Sequence, residues 1–509
     1  MYSKVNSMAI RGIEGIPVSV EVDVSPGLPE FSLVGFLGSE VKEARERVRT
    51  SLRNSGYNLA ARRLTVNLAP ADLRKEGTAF DLAIAVGILC SYGLVPESSL
   101  KGAVFLGELG LDGRICPVPG ILSAVLTARE RGFDTCFVPA DNSAEGAVVS
   151  GIRIIGSEHL EGLVRILNQP EGAIPEDPVD YDRLEAECPA EVDFAEVNGQ
   201  RSMRRAAEVA AAGMHNLLFI GSPGSGKTMI ARRIPTILPR LSREESLEVT
   251  RIYSVCGLLP PGQPMLPVRP FRAPHHTISP YALVGGGRIP RPGEVSLANR
   301  GVLFLDELPE FQKGALEALR QPLEDRVVTI SRVQGSYSFP ADVMLVAAMN
   351  PCRCGYYPDR SRCQCSEAEV RRYLRRISRP LLDRMDLCVE APPVGFAEMG
   401  GNWENESSAS IRERVAAAWE RQQSRFQGTG IFFNSQMKSG DISRWCTLGT
   451  REEQFLQSVF QKMNLSARAY HRILKVARTI ADLDGAEQIR EHHLGEAVGY
   501  RGLDERFWG

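Results

Sequence analysis

The sequence predicts an α/β architecture: a parallel sheet with helices on both faces, preceded by a separate α/β region and followed by an all-helical end. Three observations predict it. From Val192 to about Pro392, apolar runs such as "LLFIG", "GVLFL" and "DVMLVAAM" alternate with helical patterns, as strands buried on both faces do. Residues 1–166 mix alternating runs ("PVSVEVDV", "RRLTVNLAP") with amphipathic stretches ("GSEVKEARERVRTSLRNSGY"). Beyond Ile411 the period is helical throughout ("IRERVAAAWERQQSRF", "ARAYHRILKVARTIADL").

Each element follows from composition. The stretch 167–191 is rich in Pro and acid and poor in large apolar residues, so it reads as a linker, and 393–410 is a second polar joint. The expected layout is 1–166, linker 167–191, core 192–392, linker 393–410 and helical end 411–509. A chain of 509 residues is too long for one core. With 43% hydrophobic and 24% charged residues it has a globular balance, and its formal net charge of -2 gives no overall footprint for a polyanion. Any nucleic-acid partner must therefore meet a local basic patch. The start lacks an apolar core behind a basic stretch, and the most apolar window, "AFDLAIAVGILCSYGLV", is interrupted by Asp81. The expectation is a cytoplasmic protein with no membrane partner.

The chemistry concentrates at the strand ends. Gly221, Ser222, Pro223, Gly224, Ser225, Gly226, Lys227 and Thr228 form G-x4-G-K-T between an apolar run and a helix. Glycines let backbone N–H groups curl around phosphates, Lys227 neutralises the β and γ oxygens, and the Thr228 hydroxyl takes a Mg²⁺ position. A second apolar run ends in Asp306-Glu307, one acid suited to the metal and one to polarising the attacking water. A third ends in Asn350, whose amide can orient water or the γ-phosphate. The expected cofactors are thus a nucleoside triphosphate and Mg²⁺, the latter through Thr228 and Asp306.

Directly behind Asn350, Cys352, Cys354, Cys363 and Cys365 form C-x-C-x8-C-x-C. In a reducing compartment such a cluster points to metal, and two close pairs joined by a turn-rich loop can supply the four soft corners a structural Zn²⁺ needs. Free thiols and a redox switch are the alternatives. A knuckle here stands between Asn350 and Arg384.

These three strands with their spacing, followed by "RPLLDRMDL" and "NLSARAYHRILKVARTIADL", resemble AAA+ ATPases of the magnesium-chelatase-like branch, of the ComM/YifB type. The resemblance covers nearly the whole chain, including "FRAPHHTISPYALVGGGRIPRPGEVSLANRGVLFLDEL". It implies an AAA+ P-loop core with a C-terminal helical lid, and an ATP-driven ring, usually a hexamer. In ComM-type proteins such a ring acts as a DNA helicase and branch-migration motor in recombination during natural transformation. By this resemblance Gly221 to Thr228 are Walker A, Asp306 and Glu307 Walker B, Asn350 sensor 1, Arg384 the arginine finger and Arg468 sensor 2. Arg379 and Arg472 are the other candidates for the last two roles, and "VNGQ", Val197 to Gln200, matches the adenine-side segment. A finger reaches the γ-phosphate from the side its own loop leaves open, hence from a neighbouring subunit. The other reading of Arg384 is a salt bridge to Asp383 or Asp386.

"RVVTISRVQGSYSFPADV", Arg326 to Val343, reads as two β runs around a "VQGS" turn. In this branch a hairpin there points into the pore, so Arg326 and Arg332 are candidates for sequence-independent contact with DNA phosphates, single-stranded or branched; plain edge protection is the alternative. "FRAPHHTIS", with Arg272, His275 and His276, is the other candidate pore segment. Adjacent histidines on a strand would point to opposite faces, which argues against a shared ion. Six arginines between 371 and 384 form an interface or DNA patch, or else a solvated helix face.

"LRKEGTAFDLAIA" and "GELGLDGRICPVPGILSAVLTARERG" resemble the proteolytic domain of Lon proteases, an S5-like α/β fold. The positions of its Ser-Lys dyad hold Ala79 and Leu122, neither a nucleophile nor a base, so no peptidase activity is expected. The alternative to a DNA motor is a magnesium-chelatase-type ATPase subunit driving Mg²⁺ into a porphyrin; a non-translocating scaffold is a third reading.

Overall fold

The computed structural model describes all residues except 189–190, 261, 333–334, 394–404, 464 and 509. Part of the expected joint 393–410 and the tip of the "VQGS" turn lie outside the described residues. Two compact units divide the chain: residues 1–187 with 242–267, and residues 188–241 with 268–509.

The first unit is built on a seven-stranded mixed sheet. Its order is Glu30–Val34, Arg63–Ala69, Glu14–Ser25, Tyr2–Arg11, Ala103–Phe105, Thr135–Pro139 and Arg153–Ser157. Tyr2–Arg11 and Glu14–Ser25 pair antiparallel along their whole length, Tyr2 with Asp23 through Arg11 with Glu14. Period-2 alternation puts Val18, Val20, Val22 and Val24 on one buried face, against the largely apolar helix Asp81–Ser91. At the two dyad positions, Ala79 packs against the core and Leu122 is fully buried. The helix Arg243–Cys256, expected inside the ATPase core, belongs to this unit. Its cap is a reciprocal Ser242–Glu245 box, it packs on the helix Ile121–Glu130, and the Gly120 N–H donates to the Ser254 carbonyl at 3.0 Å. Buried Glu145 accepts from the Ser254 hydroxyl and the Leu122 N–H; burial raises its pKa against these bonds.

The second unit holds the five-stranded sheet, in the order Phe271–Arg272, Val302–Leu305, Met344–Met349, Leu217–Gly221 and Leu387–Ala391, every neighbouring pair parallel. Its three inner strands are apolar on both faces, as the unbroken runs required. The helical end does not form a core of its own. Ser408–Arg425 and Ala467–Leu483 share one apolar cluster with the sheet and with Arg201–Gly213. Trp419 Nε1 donates to the Ala211 carbonyl at 3.0 Å and Gln422 to that of Ala212 at 2.7 Å.

Candidate active site at the carboxyl ends of the strands

The phosphate loop leaves the strand Leu217–Gly221 and enters the helix Lys227–Ile237. Gly224 and Gly226 stand at φ 78° and 80°, the left-handed region where a side chain is strained, and nothing lies within 4 Å of where their Cβ atoms would be. That open, amide-lined turn at a helix N-terminus is a phosphate cradle. Buried Lys227 donates to the carbonyls of Gly221 (2.8 Å) and Ser222 (2.9 Å), with Asn350 Oδ1 at 3.4 Å. Burial lowers its pKa, and Asp306 offsets part of this. Thr228 Oγ1 donates to Asp306 Oδ2 at 2.8 Å, so a hydroxyl and a carboxylate meet beside the cradle. Two hard oxygens in that position fit Mg²⁺, which supplies charge neutralisation across phosphate oxygens when bound.

Glu307 follows at φ 52°, with its N–H on Asp306 Oδ1 at 2.9 Å and its exposed carboxylate 3.5 Å from His276 Nδ1. The parallel sheet thus brings residues some 130 positions apart to one edge: the loop, Asp306, Glu307 and Asn350. His276 is a member that sequence reasoning did not place here. The two histidines do not sit on a strand; they lie in a turn, with ring centroids 4.1 Å apart, so the opposite-face argument did not apply.

The other arginines are elsewhere. Arg384, Arg468 and Arg472, with Arg320, Arg326 and Lys475, line a cavity of about 1090 Å³ that also contains Asn216, Ala341, Val343 and Asp386. Those last four precede the strands Leu217–Gly221, Met344–Met349 and Leu387–Ala391, so the cavity opens at the amino edge of the sheet, opposite the phosphate loop. A five-residue strand separates the two edges by roughly 16 Å. Arg384 pairs with Glu324 and donates to the carbonyls of Arg320 (3.0 Å) and Pro380 (2.7 Å), rather than pairing with Asp383 or Asp386. Asp383 instead bridges exposed Arg468 (3.2 Å) and buried Arg472 (3.5 Å). Arg379 donates to the Trp508 carbonyl at 3.4 Å. Asp386 receives His215 Nδ1 at 3.3 Å; burial pushes its pKa up, but His215, Arg472 and Lys475 outweigh this and hold it at about 2.

Val327–Arg332 and Gly335–Pro340 form the expected antiparallel hairpin, Arg332 opposite Gly335. Arg332 lies at its far end, exposed, donating to the Gly287 carbonyl at 3.3 Å. Arg326 is at its base, where it pairs with Asp342, and Arg272 is held by Glu294 at 2.6 and 2.8 Å. His275 is exposed beside Thr277. A second, smaller hairpin pairs Gly285–Gly286 with Arg291–Pro292 and carries exposed Arg288 and Arg291. On the nucleotide side, Gln200 donates to the Pro392 carbonyl at 2.9 Å and lines a cavity of about 670 Å³ with Gly199, Arg204 and Asn405. The four sulfurs of Cys352, Cys354, Cys363 and Cys365 converge within 4.8 Å of one another. Among the described residues, no helix is long and apolar enough to cross a membrane.

Comparison with known proteins agrees with this geometry. Residues 193–399 match the family described as magnesium chelatase, subunit ChlI, residues 20–142 match subunit ChlI of Mg-chelatase, and residues 405–501 match the ChlI C-terminal family. The chain is 43% identical to the competence protein ComM of Haemophilus influenzae over 98% of its own length and 97% of that protein's. It is 42% identical to YifB of Escherichia coli over 99% and 97%. A Lon protease of Mycolicibacterium smegmatis is 26% identical over 145 residues, 27% of this chain and 18% of that one. The protein belongs to the magnesium-chelatase-like AAA+ family of the ComM and YifB type.

Proposed function

We propose that this chain is an ATP-hydrolysing motor that assembles as a ring, a hexamer, and translocates on DNA as a helicase or branch-migration factor in recombination. The observation that carries the DNA reading is the pair of linked hairpins, which present Arg288, Arg291 and Arg332 to solvent on the unit that holds the nucleotide site. Guanidinium groups on such hairpins neutralise phosphates without reading bases. The ring reading rests on the sheet edges. A finger at the amino edge cannot meet its own γ-phosphate at the carboxyl edge, so Arg384, with Arg468 or Arg472 as sensor 2, serves a neighbour's nucleotide. The competence protein among its relatives accords with a role in handling incoming DNA.

Within one subunit the roles follow from position. The loop and Lys227 hold the phosphates, Thr228 and Asp306 hold Mg²⁺, Asn350 orients and Glu307 takes the proton of the attacking water. The test is branch migration and strand displacement on forked DNA by the wild type and Glu307→Gln. ATP-dependent displacement by the wild type alone supports the reading. ATP hydrolysis indifferent to DNA, with no displacement, overturns it and favours the chelatase-type ATPase named in the family descriptions.

A further inference from the structure

The cysteine cluster reaches further than its motif. Cys352 Sγ lies 3.3 Å from Cys354 Sγ and 3.7 Å from Cys363 Sγ, with Cys354 and Cys363 3.5 Å apart. Four thiolates at zinc–sulfur distances of about 2.3 Å on tetrahedral corners stand about 3.8 Å from one another, close to these separations. Cys352 and Cys363 are buried, and the Tyr357 N–H donates to Cys352 Sγ at 3.4 Å, an outer-shell contact of the kind that orients a thiolate. Binding would release the thiol protons to solvent and leave no open position on the metal.

The loop between the two pairs is seated on the nucleotide site. Gly355, at φ 88°, comes so close to Pro223 of the phosphate loop that a Cβ there would stand 2.5 Å from the proline Cδ and 3.9 Å from Asn350 Cγ. A cavity of about 320 Å³ is lined by Gly221 and Ser222 together with Gly355, Tyr356 and Tyr357. Tyr357 packs edge-on against Phe507, which lines the same cavity, ring centroids 6.2 Å apart. The backbone of this loop therefore abuts the phosphate loop, and what orders the first supports the second.

We propose that Cys352, Cys354, Cys363 and Cys365 bind one structural zinc, and that the zinc-ordered loop, through the Gly355–Pro223 contact, holds the phosphate loop ready for nucleotide. This rests on reading residues 221–228 as the nucleotide site but not on any action on DNA. Zinc content is measured on the full chain purified anaerobically with reduced thiols, and X-ray absorption reports the metal's ligands. One zinc per chain with four sulfurs is expected, and loss of it in the double variant Cys352→Ser, Cys354→Ser. Stripping zinc from the wild type with a chelator should weaken binding of a fluorescent ATP analogue by roughly tenfold, restored on adding zinc, because a loose loop must be ordered at the expense of affinity. Gly355→Val keeps all four thiols but intrudes on Pro223. It should retain zinc and bind nucleotide more weakly, and it serves if the stripped or double-variant protein does not stay folded. Wild-type protein without zinc, a disulfide in its place, or a Gly355→Val protein with full zinc and unchanged nucleotide affinity would each overturn the proposal. If wild-type protein holds zinc yet binds no nucleotide, the failure lies with the reading of the phosphate loop instead.

Discussion

Glu307 stands at φ 52°, a conformation a non-glycine residue adopts only when its surroundings impose it. Here the Asp306 carboxylate accepts the Glu307 N–H, and the turn aims the second acid outward while the first meets Thr228. We expect Glu307→Gln to lower ATP hydrolysis by about 10²- to 10⁴-fold while nucleotide binding changes little, since the amide cannot accept the water's proton. Asp386 offers a pH test. Its folded pKa of about 2 lies below the ordinary value of about 3.9, so its stabilisation is present above that value and is lost as pH falls through about 2. The difference in urea midpoint between the wild type and Asp386→Asn should be widest near neutral pH and close below about pH 4. The meeting of Lys227, Thr228, Asp306 and Asn350 was legible because each stands at the end of an unbroken apolar run. The ion pair of Arg384 was not: the local acids Asp383 and Asp386 looked available, but one bridges Arg468 and Arg472, the other holds His215, and Glu324 takes the guanidinium from 60 positions away.

At the scale of elements, the sheet separates the phosphate loop and Arg384 onto opposite edges, and this makes a mixing experiment decisive. Arg384→Ala and Lys227→Ala proteins should each be nearly inactive as ATPases, yet regain part of the activity when mixed, because each can complete the other's site. No recovery on mixing, in proteins that still co-assemble, would return the finger to its own subunit. The hairpins carry a separate expectation. Arg332→Ala and Arg288→Ala should weaken DNA binding to a similar extent across sequences and lower the salt dependence by about one ion each, measured by titration at several salt concentrations. The larger hairpin was legible from the alternation of 327–340. The smaller one was not, because "GGGRIPRP" reads as an unstructured loop and pairs over only two residues per strand. The place of His276 beside Glu307, rather than in a pore segment, was not legible because only the turn after Phe271–Arg272 brings it there.

At the scale of the whole molecule, the sequence showed the α/β, parallel-sheet and helical regions but not how they share cores. The helix Arg243–Cys256 follows the phosphate-loop helix so closely that periodicity assigns it to the same body, whereas its partner, Ile121–Glu130, lies more than a hundred residues earlier. Nor could periodicity show that helices beyond residue 408 bury Trp419 against the Ala-rich helix Arg201–Gly213. A protein shortened to residues 188–509 should therefore be poorly soluble, because Val249, Ile252 and Met265 lose the surface that buries them. Light-scattering and yield comparisons with the full chain check this.

That interleaving also bears on how the molecule ages and breaks. The backbone crosses from one unit to the other three times, near residues 187, 241 and 267, so the first unit is partly assembled from a stretch encoded downstream of the phosphate loop. A single nick in the Pro-rich stretch around residues 170–180 should leave both fragments together under native conditions, parting only in denaturant. On a ribosome, the amino-terminal unit stays unfinished until residue 267 has emerged, so residues 188–241 of the second unit are made before the first can close.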